Sequence, residues 1–121
     1  MAHILLIDDD EMILRFAEAV LLENGHGVSK AEDGEEGLRV AREDGPDLII
    51  TDMNMPKATG WDIIRTLKSD DATKAIPIIA LSAHTSADNR DPAYLAGCEA
   101  YLSKPLNTEQ LVKAVRDALP G

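Results

Sequence analysis

Cysteine is almost absent from this chain: Cys98 is the only one. An internal disulfide is therefore excluded, and a reducing cytoplasm is the expected setting. Cations are the second shortage. Twelve Lys and Arg face 22 Asp and Glu, a formal net charge of −10. Such a surface repels a phosphate backbone, so direct nucleic-acid binding is not expected. Long apolar runs are missing as well, and none approaches the roughly 20 residues that a membrane span needs. The opening Met1-Ala2-His3-Ile4-Leu5-Leu6-Ile7 has no basic segment and runs straight into four acidic residues, a start that reads as neither signal peptide nor anchor. Linkers, repeats and low-complexity stretches are lacking too. What is present is 121 residues with 45% hydrophobic and 28% charged side chains, which reads as one globular domain over residues 1–121.

Short apolar runs alternate with segments of helical period along the whole chain. The runs Ile4–Ile7, His26–Lys30, Leu48–Thr51, Ile76–Leu81 and Ala100–Ser103 read as strands. Three of them are nearly continuous in apolar residues, as expected for parallel strands covered on both faces. The stripe Met12, Ile13, Phe16, Ala17, Val20 and Leu21 predicts a first helix, ended by Asn24-Gly25. A second helix starts near Asp33-Gly34-Glu35-Glu36, where early acids suit the helix dipole, and stops before Gly45-Pro46. Trp61, Ile63, Ile64 and Leu67 stripe a third. A fourth is short, from about Pro92 to Ala96 and closed by Gly97, because the residues before it are poor helix formers. Asn107-Thr108-Glu109-Gln110 resembles a capping box ahead of Leu111, Val112, Val115 and Leu119, a fifth helix. Five βα units with right-handed crossovers make a doubly wound α/β sheet, whose ligands bind beyond the carboxyl ends of the strands.

Polar residues collect at those ends. Asp8, Asp9, Asp10 and Glu11 follow the first strand, Asp52 and Asn54 the third, Ser82 the fourth, and Lys104-Pro105 the fifth. The successive intervals Asp9 to Asp52, Asp52 to Ser82 and Ser82 to Lys104 are 43, 30 and 22 residues, which fit two βα units, then one, then one. The fold therefore brings all of them to one edge. Taken singly, each has a plain structural reading: an acidic helix start, a turn serine, a solvated lysine. Asp52 resists that reading, since it ends the apolar run Leu48-Ile49-Ile50-Thr51 and an ionised group there loses hydration. Asp8, Asp9 and Asp52 together repel one another unless a cation resides among them. Lys104 and one divalent ion balance the three charges, and oxygen-only ligands with room for water suit Mg²⁺.

The sequence resembles the receiver domain of two-component response regulators. The matching residues are Ile4-Leu5-Leu6-Ile7-Asp8-Asp9-Asp10, Leu48 through Pro56 with Gly60, Ala80-Leu81-Ser82-Ala83, and Ala96-Gly97-Cys98 through Tyr101-Leu102-Ser103-Lys104-Pro105. They cover essentially the whole chain, in a specific order and spacing. The resemblance implies a flavodoxin-like sheet of order 2-1-3-4-5 and a cis Lys104-Pro105 bond. It implies Asp52 as phosphoacceptor, attacking the phosphohistidine of a sensor histidine kinase or a histidine phosphotransfer protein. Mg²⁺ would be held by Asp9, Asp52 and the backbone carbonyl of Asn54, with Asp8 acting through a water. Lys104 would pair with one phosphoryl oxygen, while Ser82 and the Ala83 amide would hydrogen-bond another. Movement of Ser82 would let Tyr101 turn inward and alter the surface of the fourth helix, fifth strand and fifth helix, where a downstream protein binds. Asn54 and His84 occupy positions that tune dephosphorylation. Ser82 stands where threonine is common, and the hydroxyl is kept.

The resulting expectation is a cytoplasmic signalling switch that catalyses only its own phosphorylation and slow dephosphorylation, not a metabolic enzyme. Its output is then a contact made by the receiver itself. A phosphohydrolase with an aspartyl-phosphate intermediate fits less well, because the length leaves no room for a cap domain and Asp52 goes unexplained. A flavin-binding domain fits less well too, because the Ser/Thr/Gly-rich phosphate loop expected after the first strand is replaced here by Asp8, Asp9, Asp10 and Glu11. A receiver-like module that is never phosphorylated leaves the full set Asp8, Asp9, Asp52, Ser82 and Lys104 without a purpose. Cys98 has no basic neighbour in sequence and reads as a small buried hydrophobe.

Overall fold

The apolar runs form the middle of a sheet. A computed structural model describes residues 2–53, 60–82, 97–104 and 106–119, with the backbone alone at 60 and 61. Its five strands are parallel: β1 (His3–Ile7), β2 (Gly27–Ala31), β3 (Leu48–Asp52), β4 (Ile78–Ser82) and β5 (Ala100–Ser103). Their order is β2-β1-β3-β4-β5, the one implied by the resemblance. The described helices are α1 (Glu11–Glu23), α2 (Gly34–Asp44), α3 (Gly60–Ser69) and α4 (Thr108–Ala118), the last being the fifth helix of the sequence reading. No described helix is long and apolar enough to cross a membrane.

Successive strand side chains point to opposite faces, so the continuous apolar runs feed two cores. Leu5, Ile7, Ile49, Ile78 and Ala80 pack on one face with Ala41 of α2 and Ile63, Ile64 and Leu67 of α3. Ile4, Leu6, Leu48, Ile50, Ile79 and Leu81 pack on the other with Leu14, Ala17 and Leu21 of α1 and Leu111 and Val115 of α4. β3 and β4 are buried along their whole length, and each fully buried Leu or Ile contributes about 1.5–3 kcal/mol of transfer free energy. The helix starts are capped by short acceptors. Asp10 accepts from the Met12 amide at 2.9 Å, Asp33 from Glu36 at 2.8 Å and Asn107 from Gln110 at 3.1 Å. Gly25 and Gly45, at φ of 86° and 56°, close the first two helices in the left-handed region.

Several expectations shift. β2 starts one residue late because the His26 amide donates to the Leu21 carbonyl of α1 at 3.1 Å rather than to the ladder. β4 starts at Ile78 and runs through Ser82, since Ile76 belongs to a turn in which its amide donates to Thr73 and its carbonyl accepts from Lys68. On α1 the buried stripe is Leu14, Ala17, Val20 and Leu21, whereas Met12 is 79% exposed and Phe16 38%. The true stripe is rotated toward Leu14, so apolar content alone misassigned Met12 and Phe16. The short fourth helix, the Trp61 side chain and the Lys104-Pro105 bond lie outside the described residues.

Two positions give sharp tests. A Cβ on Gly37 of α2 would stand 2.5 Å from Ile7 Cδ1 and 2.8 Å from Cγ1. Ile7 is enclosed, so Gly37→Val is expected to cost about 2–3 kcal/mol in urea unfolding by overpacking, outweighing the gain in helix propensity. Cys98 is buried in the core, and that burial pushes its thiol up to about 11. It is expected to resist alkylation in the native protein at neutral pH and to react fully once urea unfolds the chain.

Candidate functional site

The backbone ladder continues past the ends of the strands and fixes the polar residues there. The Asp8 amide donates to the Ala31 carbonyl at 3.1 Å, the Met53 amide to Leu81 at 2.9 Å, and the Lys104 amide to Ser82 at 2.8 Å. Asp8 beyond β1, Asp52 at the end of β3, Ser82 at the end of β4 and Lys104 beyond β5 are thereby held at one edge. Asp10 has two roles: its side chain caps α1, and its amide donates to Asp8 Oδ1 at 2.9 Å.

The Lys104 ammonium reaches inward to both carboxylates. Nζ lies 3.0 Å from Asp8 Oδ2 and 3.4 Å from Asp52 Oδ1, with the side chains of Lys104, Asp8 and Asp52 exposed by 18%, 2% and 4%. Burial pushes the Asp8 carboxyl above its ordinary value. The Asp10 amide and Lys104 oppose that rise, and the charge of Asp52 adds to it. For Lys104, burial alone pulls downward, yet Asp8 and then Asp52 outweigh it and hold the ammonium above its ordinary value. Ser82, 3% exposed, ends the neighbouring strand β4.

One carboxylate oxygen from each of Asp8, Asp9 and Asp52 lies within 4.8 Å of the others. Asp8 Oδ2 is buried and, although Lys104 is near, receives no hydrogen bond of good geometry. Hard oxygen ligands, one of them with unused acceptor capacity, fit a divalent cation. Asp9 is exposed and can offer its carboxylate from the solvent side. The sequence-predicted Asp8, Asp9, Asp52, Ser82 and Lys104 thus meet at this edge, whereas Asn54, Ala83 and His84 lie outside the described residues. Tyr101 sits apart, half-buried on β5 and packed against the core on the α2–α3 face. The sequence reading missed Lys68 of α3. Its Nζ donates to the Ile76 carbonyl at 3.0 Å, and its stem lies against Gly97, where a Cβ would come within 3.1 Å of Cγ. Lys68 thereby ties the turn before β4 to the approach to β5, and only the left-handed Gly97, at φ 108°, hints at such a close contact.

A parallel 2-1-3-4-5 sheet with an acidic pocket and an inward lysine at its carboxyl edge defines a flavodoxin-like α/β protein of the signalling type. The family model for the response regulator receiver domain matches residues 4–116, and the chain belongs to that family. It is a phosphoacceptor signalling domain of a two-component system. Protein PilH of Pseudomonas aeruginosa is 35% identical over 121 residues, which is 100% of both chains. The polar-differentiation response regulator DivK of Brucella anthropi is 29% identical over 116 residues, 96% of this chain and 94% of that one. Among solved structures, the chemotaxis response regulator CheY4 of Vibrio cholerae superposes with a TM-score of 0.93 at 33% identity, covering 98% of this chain and 99% of the other.

Proposed function

We propose that Asp52 is the phosphoacceptor and that the surrounding residues position and neutralise the group it receives. A carboxylate oxygen of Asp52 attacks the phosphorus of a phosphohistidine on a sensor histidine kinase or a histidine phosphotransfer protein. A P–O bond forms as the P–N bond breaks, and the electron pair leaves with the imidazole nitrogen, which takes a proton from solvent. Little covalent chemistry falls to the protein, so alignment and charge compensation carry most of the catalysis. Asp8, Asp9, Asp52 and the carbonyl of Asn54 would hold Mg²⁺, which when bound supplies positive charge beside the developing phosphoryl oxygens. Lys104, anchored by its amide to Ser82, offers the second positive charge. The Ser82 hydroxyl donates to the phosphoryl group, and its displacement couples to Tyr101 on the neighbouring strand, altering the surface that a downstream protein reads. Asn54 and His84 tune how long the aspartyl phosphate survives.

The observation that carries this reading is the placement of Lys104 Nζ within 3.0 Å of Asp8 and 3.4 Å of Asp52, both buried. A structural ion pair needs one carboxylate, not two plus a third, Asp9, alongside. In the cytoplasm the protein then works as a switch with a single-site cycle, without the turnover of a metabolic enzyme. The test is intact mass after incubation with acetyl phosphate, with and without Mg²⁺. Addition of one phosphoryl group only in the presence of the metal supports the reading. A folded protein that stays unmodified with the metal present overturns it.

A further inference from the structure

At the amino edge of the sheet, opposite the phosphoacceptor site, a second cavity of about 370 Å³ opens between the end of α1 and α4, lined by Leu21, Asn24, His26, Val112, Val115, Arg116 and Leu119. Its floor is made by Leu21 and Val115, each 1% exposed, and its walls by the half-buried Val112 and Leu119. A preformed apolar cleft of that size with a few convergent polar groups is the usual form of a small-ligand pocket.

Two of the polar groups at the rim are donors. His26 Nδ1 accepts the Ala2 amide at 3.3 Å, which leaves Nε2 as the ring's N–H donor. That N–H has no hydrogen-bond partner among the described residues. Arg116 makes only a loose contact, 3.9 Å from Asp117 Oδ1, with its side chain 72% exposed. Asn24 has already committed its Nδ2 to the Val20 carbonyl at 2.8 Å. A ring N–H donor and an under-used guanidinium therefore share the rim of one apolar floor. The described lining holds no carboxylate, in a chain of net charge −10.

We propose that this cleft binds a small molecule with an apolar body and a single carboxylate, the body lying on Leu21, Val112, Val115 and Leu119 and the carboxylate meeting Arg116 and His26 Nε2. Guanidinium matches a carboxylate with two parallel donors, and an ionised acceptor strengthens each bond. The occupant spans α1 and α4, the two helices that cover the same face of the sheet. The site is separate from the acidic edge and does not depend on phosphorylation.

The test is a methyl and amide NMR titration of the full chain with sodium octanoate, alongside 1-octanol as the uncharged comparator. Saturable one-site shifts at Leu21, Val112, Val115 and Leu119 are expected, with octanol binding at least about fivefold more weakly. The exposed Arg116→Gln change should weaken octanoate on the order of tenfold, the scale of one lost charge-assisted contact. Val112→Phe should fill the cleft and abolish binding while the spectrum stays folded. Absence of saturable shifts overturns the proposal. So does equal binding of octanol, or an Arg116→Gln variant that binds as wild type does. Shifts at these residues that follow protein concentration without octanoate would assign the cleft to a second copy of the chain, and would likewise overturn it.

Discussion

Exchange of Asp52 for asparagine is expected to abolish covalent phosphoryl incorporation from acetyl phosphate while leaving the fold intact. Asparagine keeps the size of the side chain and one acceptor oxygen, so the packing at the end of β3 survives. It removes the proposed nucleophile, and no nearby group replaces it in the same place: Asp8 is enclosed at 2% exposure and tied by the Asp10 amide, while Asp9 stands out in solvent. The same change leaves two carboxylates where three met, so metal affinity falls as well. In wild type, Mg²⁺ at ten times its dissociation constant should add about 1.4 kcal/mol to stability by mass action, which raises the thermal midpoint by several degrees. Asp52→Asn should lose most of that gain. Intact mass and a melting curve on the same sample read both effects. Phosphoryl incorporation into the asparagine variant would move the nucleophile to another residue.

Replacement of Lys104 by methionine should produce the largest loss of stability at the site, about 3 kcal/mol at neutral pH without metal. The stem is conserved in shape, but two nearly buried carboxylates then lose their only neighbouring ammonium among the described residues. Removing one partner of a buried pair is far more costly than never having built it. The pH dependence follows from the sign of each shift. Lys104 is held above its ordinary 10.5, so its contribution is complete below that pH and disappears as the pH climbs through the higher folded value. Asp8 is also raised, so its neutral form is favoured by the fold. Its contribution is complete below 3.8 and is lost as the pH rises through the folded value. Between those limits wild type relies on Lys104 to offset the charged Asp8. The methionine variant should therefore recover stability on mild acidification, and also on adding Mg²⁺, whereas wild type changes less over the same interval. Equal denaturation midpoints for the two proteins at pH 7.5 without metal would show that the carboxylates are adequately solvated without the lysine.

The central strands were legible because each is covered on both sides. Leu48-Ile49-Ile50 and Ile78-Ile79-Ala80 have no polar face to obscure their type, and Asp52 stands out by interrupting one of them. Capping chemistry was equally readable at Asp33, Gly45 and Asn107, where a single residue type satisfies a local geometric need. The rotation of α1 was not. Met12 and Phe16 carry the same apolar signal as Leu14 and Leu21, and only the docking of the helix on β1 and β2 decides which of them face inward. Edge strand β2 was weak for the opposite reason: Gly27, Ser29 and Lys30 are half in water, and its register comes from pairing with β1 alone. The convergence of Asp8, Asp52, Ser82 and Lys104 could be inferred from spacing and strand direction. The distances that turn the cluster into a coupled site could not, because they depend on the ladder bonds that continue past the strand ends.

Strand order also sets the length scale of any response. The proposed phosphoacceptor belongs to the middle strand, and β5 is only two strand spacings away, roughly 10 Å. No long relay of side chains is needed to cross that interval: β4, with Ser82 at its tip, is the sole intervening strand, and Ser103 of β5 is its paired neighbour. A displacement at the centre can therefore arrive at the sheet margin without crossing a deep core. A domain this small can house reaction and readout together for that reason.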